Sequence, residues 1–101
     1  MRMDDYKDVK EAKIGIVGAG SWGTVIANLL GMKGYRIDLW ALEEKVKDQI
    51  EMDRENKVFL PGFSLSTNIF PSTDIARVVS NKDLVVIVVP SHVMRETVHR
   101  L

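Results

Sequence analysis

Six residues constrain this chain more than any others: Gly18-Ala19-Gly20-Ser21-Trp22-Gly23. The spacing G-x-G-x-x-G is common in isolation, and its meaning depends on what flanks it. Here it follows Ile14-Gly15-Ile16-Val17, a short, mostly β-branched run that reads as a buried strand. It also opens a stretch in which Val25, Ile26, Leu29, Leu30 and Met32 fall at helical spacing and predict one broad apolar face. A strand that passes through glycines directly into a helix is a junction suited to a pyrophosphate. Gly18 permits the tight turn, Gly20 lets an anion approach the backbone, and Gly23 lets helix and strand pack closely. The N–H groups of Ser21 and Trp22 then face outward at the helix N-terminus, where the dipole favours negative charge. The alternative is a glycine-rich turn without a ligand, and the strand–loop–helix context counts against it.

The same alternation continues along the chain. Gly34 suits a left-handed helix stop. Residues 35–40 read as a second strand, and Leu42, Val46 and Ile50, four apart, predict a second helix running to about Asp53. Residues 54–66 are irregular, with Pro61-Gly62 as a turn signal. A short third strand is predicted over residues 67–70. Ser72-Thr73-Asp74 supplies caps for a short helix to Val79, which Asn81-Lys82-Asp83 interrupts. Residues 84–89, all Leu, Val or Ile, are the strongest strand signal; Pro90 ends them and Ser91 caps a last helix towards Leu101. This β-α-β-α-β-α-β-α pattern predicts the α/β class, a Rossmann-like parallel sheet with flanking helices. Right-handed crossovers winding outward from the first strand give the strand order 3-2-1-4.

Composition narrows the function. The 101 residues suffice for one small domain. Residues 1–12 read as a polar lead-in and 13–101 as the domain. Fourteen basic side chains balance fourteen acidic ones, so the basic excess that sequence-independent nucleic-acid binding needs is missing. The absence of cysteine excludes disulfides, thiolate metal sites and thiol catalysis, and accords with a reducing compartment. The longest apolar run has six residues, far short of a membrane span. No signal peptide is visible in the charged start.

The fourth strand bears on completeness. A strand apolar at every position is normally buried on both faces and flanked on both edges. The order 3-2-1-4 puts it at an edge, where it invites pairing with another chain and offers a route to a homo-oligomer. The expectation is therefore a domain truncated before its remaining strands, with any C-terminal substrate domain absent. A complete small domain that covers this edge with its last helix or by dimerisation is the alternative.

A carboxylate about twenty residues beyond the last glycine would hold the adenosine ribose hydroxyls. That count lands on Glu43, with Glu44 beside it, and either could also be a first-turn acid favoured by the helix dipole. No Arg or Lys stands between Trp40 and Glu44, which speaks against a 2′-phosphate site and favours NAD over NADP. Trp22 and Trp40 read as packing residues, Trp22 being of interest only through its backbone N–H. Asn56 and residues 60–62 read as structural, shaping the connection after the second helix. His92 and His99 lack a third ligand nearby, so no metal site is expected.

Taken together, these residues resemble the N-terminal part of NAD(P)-dependent glycerol-3-phosphate dehydrogenase. The resemblance runs from about Lys13 to Leu101. It is carried by Gly18-Ala19-Gly20-Ser21-Trp22-Gly23-Thr24, Leu39-Trp40, Arg54-Glu55-Asn56 with Phe59-Leu60-Pro61-Gly62, and Val89-Pro90-Ser91. It implies a nicotinamide dinucleotide as partner and reduction of dihydroxyacetone phosphate to sn-glycerol 3-phosphate for phospholipid synthesis, in the cytoplasm. It also implies pyrophosphate-side contacts at Ser21 and Trp22, an adenosine-side contact at Leu42, and a cofactor cleft lined by Pro90, Ser91 and Val93. Many bacterial members carry His or Arg at or beside Leu42, whereas Trp40-Ala41-Leu42-Glu43-Glu44 looks more like the NAD-specific eukaryotic branch. The family's catalytic lysine, cofactor-contacting lysine and substrate-phosphate residues lie beyond Leu101. No catalytic residue is therefore expected here, and the triose phosphate would bind only to a longer chain. Two other readings stay open: a related hydroxyacid or ketopantoate-type dehydrogenase, against which residues 54–62 argue, and a non-catalytic nucleotide-binding or assembly module.

Overall fold

The computed structural model describes residues 11–89 and residue 99. Its elements are β1 (Lys13–Val17), α1 (Ser21–Met32), β2 (Arg36–Trp40), α2 (Glu44–Asp53), β3 (Ile69–Ser72), α3 (Ile75–Val79) and β4 (Leu84–Ile87). The four strands form one parallel sheet in the order β3-β2-β1-β4, as the alternation predicts. The helix predicted after Ser91 lies outside the described residues.

Strand side chains alternate between the two faces of the sheet, and each face takes its own helices. Ile14, Ile16, Ile37, Leu39 and Ile69 form the main core with Ala27 of α1 and with Val46 and Ile50 of α2. Burying each isoleucine contributes roughly 1.5–3 kcal/mol. On the opposite face Val17 and Trp40 pack with Val78 of α3. Position 15, under α3, is a glycine, since a Cβ there would run into the Val78 carbonyl oxygen.

Several sequence-based expectations need correction. The buried side of α1 consists of Gly23, Thr24, Ala27 and Gly31, whereas Leu29 and Met32 are exposed. Small residues let this helix lie close to the sheet, and apolar spacing alone does not register that. Leu42 is outside α2 and is 67% exposed, so only Val46 and Ile50 carry that helix's buried stripe. β3 begins two residues later than expected and continues through Pro71. As an outer strand of the described sheet it pairs only with β2, so a missing N–H is tolerated. β4 pairs over residues 84–87, and its first two side chains, Leu84 and Val85, are exposed.

Connections between elements are held by specific bonds. Arg54 ends α2 in the left-handed region at φ 52°. Its guanidinium donates to the Ile69 carbonyl at 2.6 Å, and its own carbonyl accepts from Leu65 N–H at 2.8 Å. Asp74 caps α3 by accepting from Ala76 N–H at 3.1 Å. Lys82 closes the other end of α3 by donating to the carbonyls of Arg77 and Ser80.

Candidate dinucleotide-binding site

The register brings the C-terminal ends of all four strands to one edge: Val17 lies beside Trp40 and Ile87, and Trp40 beside Ser72. Every loop leaving that edge leads into a helix or away from β4. The chain turns one way from β1 to β2 and the other way to reach β4, so the space above β1 and β4 is the topological switch point. Ligands of open parallel sheets bind there.

The glycine loop sits at this point, and its three glycines do different work. Gly18, at φ 122°, faces the Val88 carbonyl so closely that a Cβ would collide with it. A Cβ on Gly23 would collide with the Gly18 carbonyl. Gly20 adopts ordinary extended backbone at φ −75°, and among the described residues a Cβ there would meet no atom within 4 Å. Gly18 and Gly23 are glycines because protein fills the space; Gly20 borders open space on the side where the helix begins. The loop is tied to the sheet by Gly18 N–H donating to the Trp40 carbonyl at 3.1 Å.

The first intrahelical bond of α1 runs from Thr24 N–H to the Gly20 carbonyl at 3.0 Å. The N–H groups ahead of it are the helix's orphan donors. Gly20 has no side chain to cap them, and the first turn carries no acidic residue. An anion in the opening beside Gly20 would meet these donors and the positive end of the dipole. Trp22 is 74% exposed, which corrects its reading as a packing residue; Trp40, by contrast, is buried and donates its indole N–H to the Thr73 carbonyl at 3.0 Å.

Just beyond β2 the two candidate carboxylates separate. Glu44 is engaged, accepting from the Thr73 hydroxyl at 3.2 Å and pairing with Lys47 at 3.6 Å. Glu43 occupies the N-cap of α2 with its backbone extended; it makes no side-chain cap and has no side-chain partner among the described residues. Leu42 and Glu43 thus stand exposed just beyond β2, on the same sheet edge as the glycine loop. Pro90, Ser91 and Val93 lie outside the described residues. Among the described residues no cluster of three His, Cys, Asp or Glu could hold a metal, and no helix is long and apolar enough to cross a membrane.

Asn56 does more than shape its own connection. It is fully buried, and its side-chain amide donates to the Ala19 carbonyl at 2.8 Å and to the Thr24 hydroxyl at 2.9 Å. Residues 37 and 32 positions away in sequence meet there. No local spacing signals that contact; only the Arg54-Glu55-Asn56 segment of the resemblance pointed to the residue.

Residues 13–101 match the sequence profile described as the N-terminus of NAD-dependent glycerol-3-phosphate dehydrogenase. The chain belongs to this family. It is 49% identical over 82 residues to the glycerol-3-phosphate dehydrogenase [NAD(P)+] of Syntrophobacter fumaroxidans, a match covering 81% of this chain and 24% of that protein. With the Moorella thermoacetica protein of the same name it shares 43% over 88 residues, covering 87% and 26%. The chain spans about a quarter of the length of these curated relatives. Among solved structures, glycerol-3-phosphate dehydrogenase from Coxiella burnetii superimposes with a TM-score of 0.83 at 31% identity, covering 89% of this chain and 28% of that one. The Saccharomyces cerevisiae enzyme gives 0.84 at 27%, covering 91% and 30%. The structural matches agree with the parallel sheet order β3-β2-β1-β4.

Proposed function

We propose that residues 13–101 form the dinucleotide-binding part of a glycerol-3-phosphate dehydrogenase and hold NADH by its pyrophosphate. The observation that carries this reading is the uncapped start of α1 opening onto free space at Gly20. Gly18 and Gly23 fix the loop, Gly20 admits the phosphates, and Ser21 and Trp22 offer N–H groups to them. Bound there, the nicotinamide would supply the hydride that reduces dihydroxyacetone phosphate to sn-glycerol 3-phosphate in the whole protein. Such a reaction also needs a proton donor held against the carbonyl. We assign no residue of this chain to that role. Supply of glycerophospholipids and a cytoplasmic setting follow from the same family reading.

The reading favours NAD over NADP. The matched bacterial relatives are named for both cofactors, so the preference rests on this chain's own residues. Leu42 and Glu43 supply an apolar surface and an unengaged carboxylate for a ribose diol, and residues 40–44 include no cation to meet a 2′-phosphate. By resemblance to the family, Pro90, Ser91 and Val93 are included in the proposal as further cofactor contacts. Pairing of β4 with a second copy remains part of this proposal through its exposed Leu84 and Val85.

The experiment is a parallel titration of the chain with NADH and NADPH, followed by tryptophan fluorescence. Trp22, exposed in the loop itself, is the reporter. Saturation with NADH preferred is the expected result. A folded chain whose fluorescence responds to neither cofactor would overturn the assignment.

A further inference from the structure

We propose that Asn56 and the turn it closes form a clamp that sets the aim of the phosphate-binding N–H groups. The inference deepens the dinucleotide reading and rests on it. The two donor contacts of Asn56 fall on opposite sides of Gly20: the Ala19 carbonyl lies before it and the Thr24 hydroxyl after it. Gly20 is the hinge between them. Its carbonyl is held by Thr24 N–H at 3.0 Å, but no described atom packs within 4 Å of where its Cβ would lie, so side-chain packing at Gly20 does not set its orientation. The amide of Asn56 spans this hinge and thereby fixes the direction in which α1 starts.

A second hold comes from the same turn. Asn56 Oδ1 accepts from Phe59 N–H at 3.1 Å, and the Asn56 carbonyl accepts from Leu60 N–H at 2.8 Å. The closed turn presents the Phe59 carbonyl to the Ser21 hydroxyl, which donates to it at 2.5 Å. Ser21 is therefore held through its side chain while its N–H stays available at the helix start. The turn has its own footing on α2: Lys57 N–H donates to Gln49 and the Lys57 ammonium pairs with Asp53 at 3.0 Å. The loop is thus braced against a second helix, and the orphan donors are aligned before a ligand arrives. Preorganisation of this kind removes an ordering cost from binding. Asn56, Thr24 and the Ser21 hydroxyl are positioning groups in this account.

The test uses the whole chain. Thr24→Val keeps the shape of the buried side chain and removes the acceptor of one Asn56 donor; Thr24→Ser restores the hydroxyl. NADH affinity is measured well below each variant's melting midpoint, where a change in stability alone leaves the dissociation constant unmoved. The expected result is about tenfold weaker binding for Thr24→Val, the scale of one hydrogen bond, with recovery in Thr24→Ser. In ligand-free 15N spectra the Gly18 amide and Asn56 side-chain amide signals, neither adjacent in sequence to a substituted residue, should shift in Thr24→Val and also in Ser21→Ala, while the amides of Ile14 and Ile37 stay in place. Equal NADH affinity in wild type and folded Thr24→Val overturns the clamp and leaves the dinucleotide reading intact. A wild-type chain that does not bind NADH overturns that reading instead. The ligand-free signals then judge the clamp alone, and unmoved Gly18 and Asn56 side-chain signals in Ser21→Ala would sink it even if Thr24→Val failed to fold.

Discussion

Gly23 lies against the carbonyl oxygen of Gly18, so the first and last glycines of the glycine loop are in direct contact. A methyl group at Gly23 has nowhere to go, because the obstructing atom is backbone. Gly23→Ala should cost about 1–3 kcal/mol through overpacking. Gly18→Ala should cost more, since its positive φ adds ~1 kcal/mol or more of backbone strain to the collision with Val88. Urea denaturation of both variants checks this. A stability loss below about 0.5 kcal/mol in either would mean that the loop is free to open.

Gly20 should behave in the opposite way. Its φ of −75° suits any residue and a Cβ there meets open space, so Gly20→Val should fold with nearly wild-type stability. The branched side chain would occupy the opening proposed for the pyrophosphate, and NADH affinity should fall at least about a hundredfold. Circular dichroism and a fluorescence titration on the same sample separate the two effects. Undiminished affinity in the folded variant would remove the site from this loop.

The order β3-β2-β1-β4 was legible because each strand is followed by a turn signal and a helical stretch, and few topologies satisfy that alternation. The glycine loop was legible because its flanks were. The buried side of α1 was not, because apolar spacing rewards bulk while Gly23, Thr24, Ala27 and Gly31 achieve close packing by being small. The passage of β3 through Pro71 is not legible from sequence, because proline breaks a central strand but is tolerated in one that pairs on one side only within the described sheet. The hold of Asn56 on Ala19 and Thr24 joins residues more than thirty positions apart, and no periodicity encodes such a bond.

Cofactor choice should respond to the segment after β2. Glu43 is exposed and without a side-chain partner among the described residues, so replacing it disturbs no contact of the fold. Glu43→Arg should shift the preference from NADH towards NADPH by about tenfold, since a carboxylate that holds a diol repels a 2′-phosphate and a guanidinium pairs with it. Parallel titrations with both cofactors measure the ratio. An unchanged ratio would mean that Glu43 does not face the ribose and that the preference is set elsewhere.

Stability of the opposite face should depend on one ion pair. Asp38 projects from the middle of β2 and meets the Lys82 ammonium at 3.2 Å; their side chains are only 12% and 8% exposed. Arg36 also approaches Asp38, at 3.8 Å, but is largely exposed. Lys82 keeps two carbonyl acceptors, Arg77 and Ser80, whatever happens to Asp38. Asp38→Asn should still cost about 3 kcal/mol, because it leaves a nearly buried ammonium without its counter-charge. Lys82→Met in the same background should recover part of that loss by removing the stranded charge. The comparison is a double-mutant cycle read by urea midpoints. Additive losses would show that the two groups are solvated independently and that the pair contributes nothing to holding α3 against β1 and β2.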